Sequence, residues 1–200
     1  MKDNGSLLWI ILASIGAIWW FNHCPVTPTP GQTAPNDPIQ TEVHDIKPWA
    51  HKGFTITPLM RYEITARILH RQEYHFDEVS NIAPLDLALG WGPLSDPQNY
   101  RQIHFSQEGR WYEYSYDGSV PGTITSRLVH CTKNHHLIPA DDDVKKELLA
   151  LRENQTVRLK GYLIEATNAK GYDWRSSLLT DDTGGGSCKV VWVDEVEVRP

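Results

Sequence analysis

From Ser6 to Phe21 the chain runs SLLWIILASIGAIWWF, sixteen positions without one charged side chain. No other stretch limits the possible folds so tightly. A helix over this run is about 24 Å long. Adding Gly5 and Asn22 to Cys24 brings it close to the ~30 Å of a bilayer's hydrocarbon core. A helix packed on a globular core keeps one polar face, whereas here only Ser6 and Ser14 interrupt the apolar surface. Trp19, Trp20 and Phe21 close the run, where amphipathic rings favour the membrane interface. Residues 6–24 are therefore expected to thread a membrane. Ala17 offers a small residue for signal cleavage but Ile15 occupies the other small position, and Phe21-Asn22-His23 before Cys24 lacks the small residue of a lipidation site. The expectation is an uncleaved signal anchor over residues 1–24. Lys2 precedes the span and no Lys or Arg follows until Lys47. The positive-inside bias then places the N-terminus in the cytoplasm and the rest of the chain beyond the inner membrane, in the periplasm or outside the cell.

Pro25 to Gln40 holds five prolines and no aromatic residue, a composition that favours a semi-stiff, extended linker. That leaves residues 41–200 as one exported domain. The formal charge of −6 speaks against a nucleic-acid partner, since such proteins gain affinity by neutralising phosphates with Lys and Arg. Cys131 and Cys188 fall in a compartment where oxidation is possible, which raises a Cys131–Cys188 disulfide alongside two separate thiols.

The exported domain is expected to be mainly β with one or two helices, an α+β class. Tyr62 to Leu69 alternates apolar and polar positions as a half-buried strand does. RQIHFSQ and GRWYEYSY form strand candidates joined at Glu108-Gly109, and ITSRLVHC is a further one. NIAPLDLALGWGPLSDP suggests a short helical turn followed by a glycine- and proline-broken loop. IPADDDVKKELLALR is the clear helix: Val144, Leu148 and Leu151 share a face, and three aspartates favour the positive end of its dipole. Strand candidates follow in TVRLKGYLIEA, YDWRSSLLT and SCKVVWVDEVEV.

Gly184-Gly185-Gly186 sits between the last two of these. A phosphate-cradling loop needs a helix to open directly after its glycines, but VVWV follows here, so the run is expected to turn a hairpin corner. VRLKGYLIEA and then DWRSSLLTDDTGGGSCKVVWV resemble the opening strands of an OB-fold barrel: a strand with central Gly161, a second ending in Asp-x-Thr-Gly, and a third of alternating apolar residues. The match covers about 156–198. The resemblance implies an OB-like small barrel that binds an oligonucleotide or oligosaccharide or contacts a protein, with Gly161 at a barrel corner. The layout of anchor, linker and exported domain also resembles single-pass envelope proteins of bacteria.

For chemistry, His130, Cys131, His135 and His136 lie within seven residues. No C-x-x-C pair accompanies them, so no metal or cofactor site is expected. Trp91 between two glycines suggests an exposed ring on a flexible loop. Tyr112, Tyr114 and Tyr116 alternate onto one strand face, and Arg175 follows Trp174. The expected ligand face is Trp91, Tyr112, Tyr114, His136 and Arg175, suited to an oligosaccharide or an envelope protein. The alternative is a hydrolase built on Ser176 or Ser177, His136 and Asp182, although no G-x-S-x-G marks a nucleophile turn.

Overall fold

The computed structural model describes residues 4–199, with side chains throughout except at 4–7, 18, 19 and 21–23. Helix α1 (Asn4–His23) precedes the short strands β1 (Ile39–Glu42) and β2 (Trp49–His51), the long strand β3 (Phe54–Glu73) and β4 (Leu85–Gly90). A 3-10 turn at Gly92–Ser95 and α2 (Pro97–Tyr100) lead to a hairpin of β5 (Ile103–Glu108) and β6 (Trp111–Tyr116). Then come α3 (Gly122–Thr125), α4 (Leu128–Cys131), β7 (Thr132–Pro139), α5 (Asp142–Leu149), β8 (Thr156–Asn168), β9 (Asp173–Arg175) and β10 (Lys189–Arg199). The chain is mainly β. Its helices outnumber the one or two expected, because α2, α3 and α4 are single turns of four residues each.

Strands β3, β4, β7, β10 and β8 join edge to edge in that order, and β8 returns to β3, so the sheet closes on itself. Closure removes free edges from all five. Every pairing is antiparallel except β7 with β10, which is parallel. Strand β3 serves two barrel neighbours: it pairs with β8 from Phe54 to Arg67 and with β4 from Arg67 to Glu73. Register shifts between Pro58 and Met60 and between Ile68 and His70 bend it enough to do so. Gly161 on β8 faces Val193, and a Cβ there would lie 1.7 Å from the Trp192 carbonyl oxygen. Only glycine permits that approach. The 156–198 segment, expected to open a barrel with three successive strands, instead supplies its last two staves. β9 is a three-residue strip on β8.

Inside the barrel pack Tyr62, Ile64, Ile68, Leu85, Leu87, Leu89, Leu159 and Val191, and α5 closes one end with Val144, Leu148 and Leu151. The Asp141 carboxylate accepts the Val144 N–H at 2.8 Å and caps that helix. Leu85, Leu87 and Leu89 are each fully buried, worth about 1.5–3 kcal/mol apiece. This is why LDLALG forms a strand where a helical turn was expected: burial of all six residues between two strand neighbours overrides leucine's helix propensity. ITSRLVHC goes the other way. Ile124, Leu128 and Cys131, at helical spacing, turn together under the β5–β6 hairpin.

Pro25–Gln40 does not stand off as a spacer. The Val26 N–H donates to the Glu153 carbonyl at 3.0 Å, Arg67 donates to the Thr29 carbonyl at 2.8 Å, and the Thr33 and Thr156 hydroxyls meet at 2.7 Å. Ala34 is buried, and its carbonyl accepts the Gly92 N–H. Prolines with unused carbonyls make a strap against a barrel as readily as a linker, provided the barrel supplies donors, and Arg67 does.

Along α1, Leu8, Trp9, Ile10, Ile11, Leu12, Ile15 and Trp20 are all exposed. Among the described residues no helix is long and apolar enough to cross a membrane. Lys2, on which the expected orientation rests, lies outside the described residues.

Candidate functional site

Strands β4 and β7 are buried along their whole length, because the barrel interior covers one face while the hairpin and the 176–188 segment cover the other. HCTKNHH was expected to be a polar loop; its first two residues end α4, and TKNHH runs as a central strand whose polar side chains all need partners. His135 and His136 point to opposite faces. His135 faces inward: the Tyr62 hydroxyl donates to its Nε2 at 2.9 Å, and its Nδ1–H donates to the Lys133 carbonyl at 3.1 Å. Burial holds this imidazole neutral, down at about 3.

His136 faces outward, directly opposite Asp86. Its Nδ1 lies 2.8 Å from Asp86 Oδ2, and Asp86 is wholly buried. Arg110 donates to the other carboxylate oxygen at 2.8 Å and grips Asp77 with two bonds of 2.8 and 3.0 Å. The Arg110 guanidinium also stacks 3.7 Å from the centre of the Tyr74 ring. Arg110 occupies the hairpin turn at φ +72, after Gly109 at φ +55. That left-handed conformation costs a non-glycine residue about 1–2 kcal/mol, and these three bonds, with a fourth from Arg110 to the Ala83 carbonyl at 2.9 Å, hold it there. Burial opposes a charge on His136, but the Asp86 carboxylate, with a smaller contribution from nearby Cys188, outweighs it and holds the imidazole up at about 9. Asp86 engages Nδ1, which leaves Nε2 as the nitrogen not committed to it. The Trp174 ring packs 4.6 Å from the His136 ring, centre to centre.

Two hollows flank Cys188. One, of about 180 Å³, is walled by Trp111, Tyr112, Tyr114, Leu128, Lys133, Asn134, Asp182 and Gly184. The other, of about 230 Å³, is walled by His136, Trp174, Arg175, Trp111 and Gly184 to Gly186. Trp111, Gly184 and Cys188 border both. The glycine run is thus more than a hairpin corner: β9 and β10 are not partners, and both pair with β8. The chain between them crosses the barrel mouth, with Gly184 and Gly186 at φ +81 and +86. Lys189 donates to the Ser177 carbonyl at 3.0 Å and also bonds the Leu179 carbonyl, pinning that segment. Burial lowers its ammonium to about 8. Lys133 bonds Asp182 from the same mouth.

The expected site residues distribute unevenly. Tyr112 and Tyr114 line the first hollow with ring centres 5.9 Å apart, and Tyr116 continues the ladder at 6.5 Å. His136 and Arg175 line the second hollow, and Arg175 is paired with Glu165 at 2.6 Å. Trp91 is not an exposed ring. It is 2% exposed within the core, its Nε1–H donating to Asp37 at 3.0 Å. Gly90 serves close packing, since a Cβ there would lie 2.9 Å from the Leu94 carbonyl oxygen, and Gly92 takes a left-handed φ of +54. Ser176, His136 and Asp182 do not assemble. The Ser176 hydroxyl is buried between the Val190 N–H and the Ser177 carbonyl, while Asp182 pairs with Ser177 at 2.5 Å and with Lys133. Cys131 and Cys188 are both free thiols. Cys131 is buried under the hairpin and Cys188 borders the hollows, so the two face different surroundings. Among the described residues no cluster of His, Cys, Asp or Glu is arranged to hold a metal.

Asp86, Arg110 and Trp111 were not among the expected site residues, and Cys188 was expected only as a disulfide partner. Asp86 left a trace, a lone carboxylate between leucines, and a buried charge demands a partner. No protein-family model matches the chain, and no curated protein or solved structure matches it either.

Proposed function

We propose that this chain is a membrane-tethered binding module whose folded part is an OB-type barrel and whose ligand is an oligosaccharide of the cell envelope. The observation that carries the reading is the pair of hollows and their place in the strand order. Barrels of that type join five strands and bind oligonucleotides and oligosaccharides over strands two and three, between the loops 1–2 and 4–5. Here the second and third staves are β4 and β7, α5 follows the third, and the last inter-stave loop contains Gly184 to Cys188. The acidic balance of the chain disfavours the oligonucleotide. Trp111, 61% exposed at the rim, offers a flat face to a sugar ring, with Arg175 and Asn134 as hydrogen-bonding partners. The outward apolar side chains of α1 support a tether in the bilayer, with the barrel on the far side.

Full-length protein in nanodiscs, titrated with neutral and acidic envelope oligosaccharides, should show saturable quenching of tryptophan fluorescence. Trp111→Ala should weaken binding about tenfold, the worth of one stacked ring. Affinity unchanged in that variant, or no response to any saccharide, would remove the reading. A periplasm-dependent reporter fused after Pro200 tests the orientation separately.

A further inference from the structure

Asp77, Arg110, Asp86 and His136 form a row of alternating charges, each within 3.0 Å of the next, and the row ends at a hollow that His136 and Cys188 wall together. Cys188 is half-buried and borders a second hollow as well. Register explains the proximity: Val190 lies beside His136 in the parallel β7–β10 pair, and Cys188 immediately precedes β10. Nucleophile, base and orienting carboxylate thus stand in the order that thiol catalysis requires.

We propose that Cys188 and His136 are the catalytic pair of an acyl hydrolase, positioned by Asp86, acting on esters and thioesters of small acyl groups. The inference uses the same hollows as the binding reading but does not depend on their holding a sugar. One proton is shared between Cys188 Sγ and His136 Nε2. With it on the imidazole, the sulfur attacks the carbonyl carbon, a C–S bond forms, and the carbonyl π electrons move onto oxygen. As the carbonyl re-forms, the bond to the alcohol or thiol breaks and Nε2–H protonates that leaving group. Water then attacks the acyl-cysteine and gives its proton to Nε2. The C–S bond breaks, a carboxylic acid leaves, and the shared proton is restored. The net change is ester plus water to acid plus alcohol. The hollow of about 180 Å³ walled by Tyr112, Tyr114 and Leu128 suits a short acyl chain. Asp86 touches no substrate. From β4 it holds Nδ1, with Arg110 fixing its far oxygen from the hairpin turn, so that Nε2 is left for the hollow that Cys188 also walls. The other titratable groups near the ring are the Arg175 guanidinium at the hollow's rim and His135, held neutral on the opposite strand face.

The test is hydrolysis of p-nitrophenyl acetate and butyrate by full-length protein in detergent, with mass spectrometry of quenched reactions. The expected result is turnover with an acyl group mapped to the Cys188 peptide. Cys188→Ala, on a surface loop, should abolish both while keeping the folded fluorescence spectrum, and Cys24→Ser should leave turnover unchanged. His136→Gln should lower kcat about 10²–10⁴-fold. Asp86→Asn should move the pH limb that follows His136 down by about one pH unit or more, an effect that a merely structural carboxylate would not have. Failure of Trp111→Ala to alter saccharide affinity would sink the binding reading without touching this one. Full turnover in Cys188→Ala, an acyl group on another residue, or no turnover of either ester overturns the proposal.

Discussion

His135 and His136 are neighbours on one strand, yet their surroundings push them in opposite directions, and the pH dependence of stability should show both. His136 sits at about 9 when folded and about 6.5 when unfolded. Its stabilisation is complete below pH 6.5 and is lost as pH rises towards 9. His135, at about 3 when folded, has the opposite sign: its contribution is present above pH 6.5 and lost as pH falls towards 3. Each fully coupled proton changes stability by about 1.4 kcal/mol per pH unit. Integrated, His135 makes the chain about 2 kcal/mol more stable at pH 6.5 than at pH 4.5, and His136 makes it about 1.5 kcal/mol less stable at pH 8 than at pH 6.5. Asp77 and Asp182, both held below their ordinary value, act only below that acid window. Lys189, lowered to about 8, contributes mainly above the alkaline one. Urea unfolding of the full chain in detergent, followed by tryptophan fluorescence from pH 4.5 to 8, should give a maximum near pH 6.5. His135→Gln should flatten the acid limb alone and His136→Gln the alkaline limb alone, whatever each costs in absolute stability. His51, also lowered by burial, leaves a weaker acid limb of the same sign; an acid limb undiminished in His135→Gln would refute the assignment of the buried neutral imidazole.

Gly161→Ala should cost about 3 kcal/mol or more in the same assay, because the new methyl must displace the Trp192 backbone rather than a side chain. Equal stability would mean that β8 and β10 do not approach so closely. Arg67→Met removes the donor to the Ser95, Asn154 and Thr29 carbonyls and should cost about 3 kcal/mol. It should also open residues 25–37 to limited proteolysis, whereas an uncut strap would show that other bonds hold it. The mass of the chain should not change on reduction. Cys188 should alkylate in the folded protein and Cys131 only on unfolding; a Cys131–Cys188 bridge in the peptide map would contradict both statements.

Much of this was written into the sequence at short range. The charge-free run at 6–21, the α5 helix with its aspartate cap, the Trp111–Tyr116 alternation and the predominance of strand follow from hydrophobicity, capping and period, which act within a few residues. LDLALG and HCTKNHH misled because β4 and β7 are covered on both faces, so polar side chains lie as deep as leucines and the usual contrast between faces vanishes. The Pro25–Gln40 strap depended on Arg67, thirty or more residues away, and Trp91 on Asp37. Composition alone could not distinguish a loose linker from one that finds such partners.

The site was decided entirely by tertiary structure. Asp86, Arg110, His136 and Cys188 are spread over a hundred residues, and each is unremarkable beside its own neighbours. They meet because β4, β7 and β10 close side by side and a tight hairpin turn swings Arg110 over them. Local sequence could set which segments become strands and helices, since those preferences are short-range energies. Which strand lies beside which follows from burying one shared core, a sum over the whole chain that no single stretch contains.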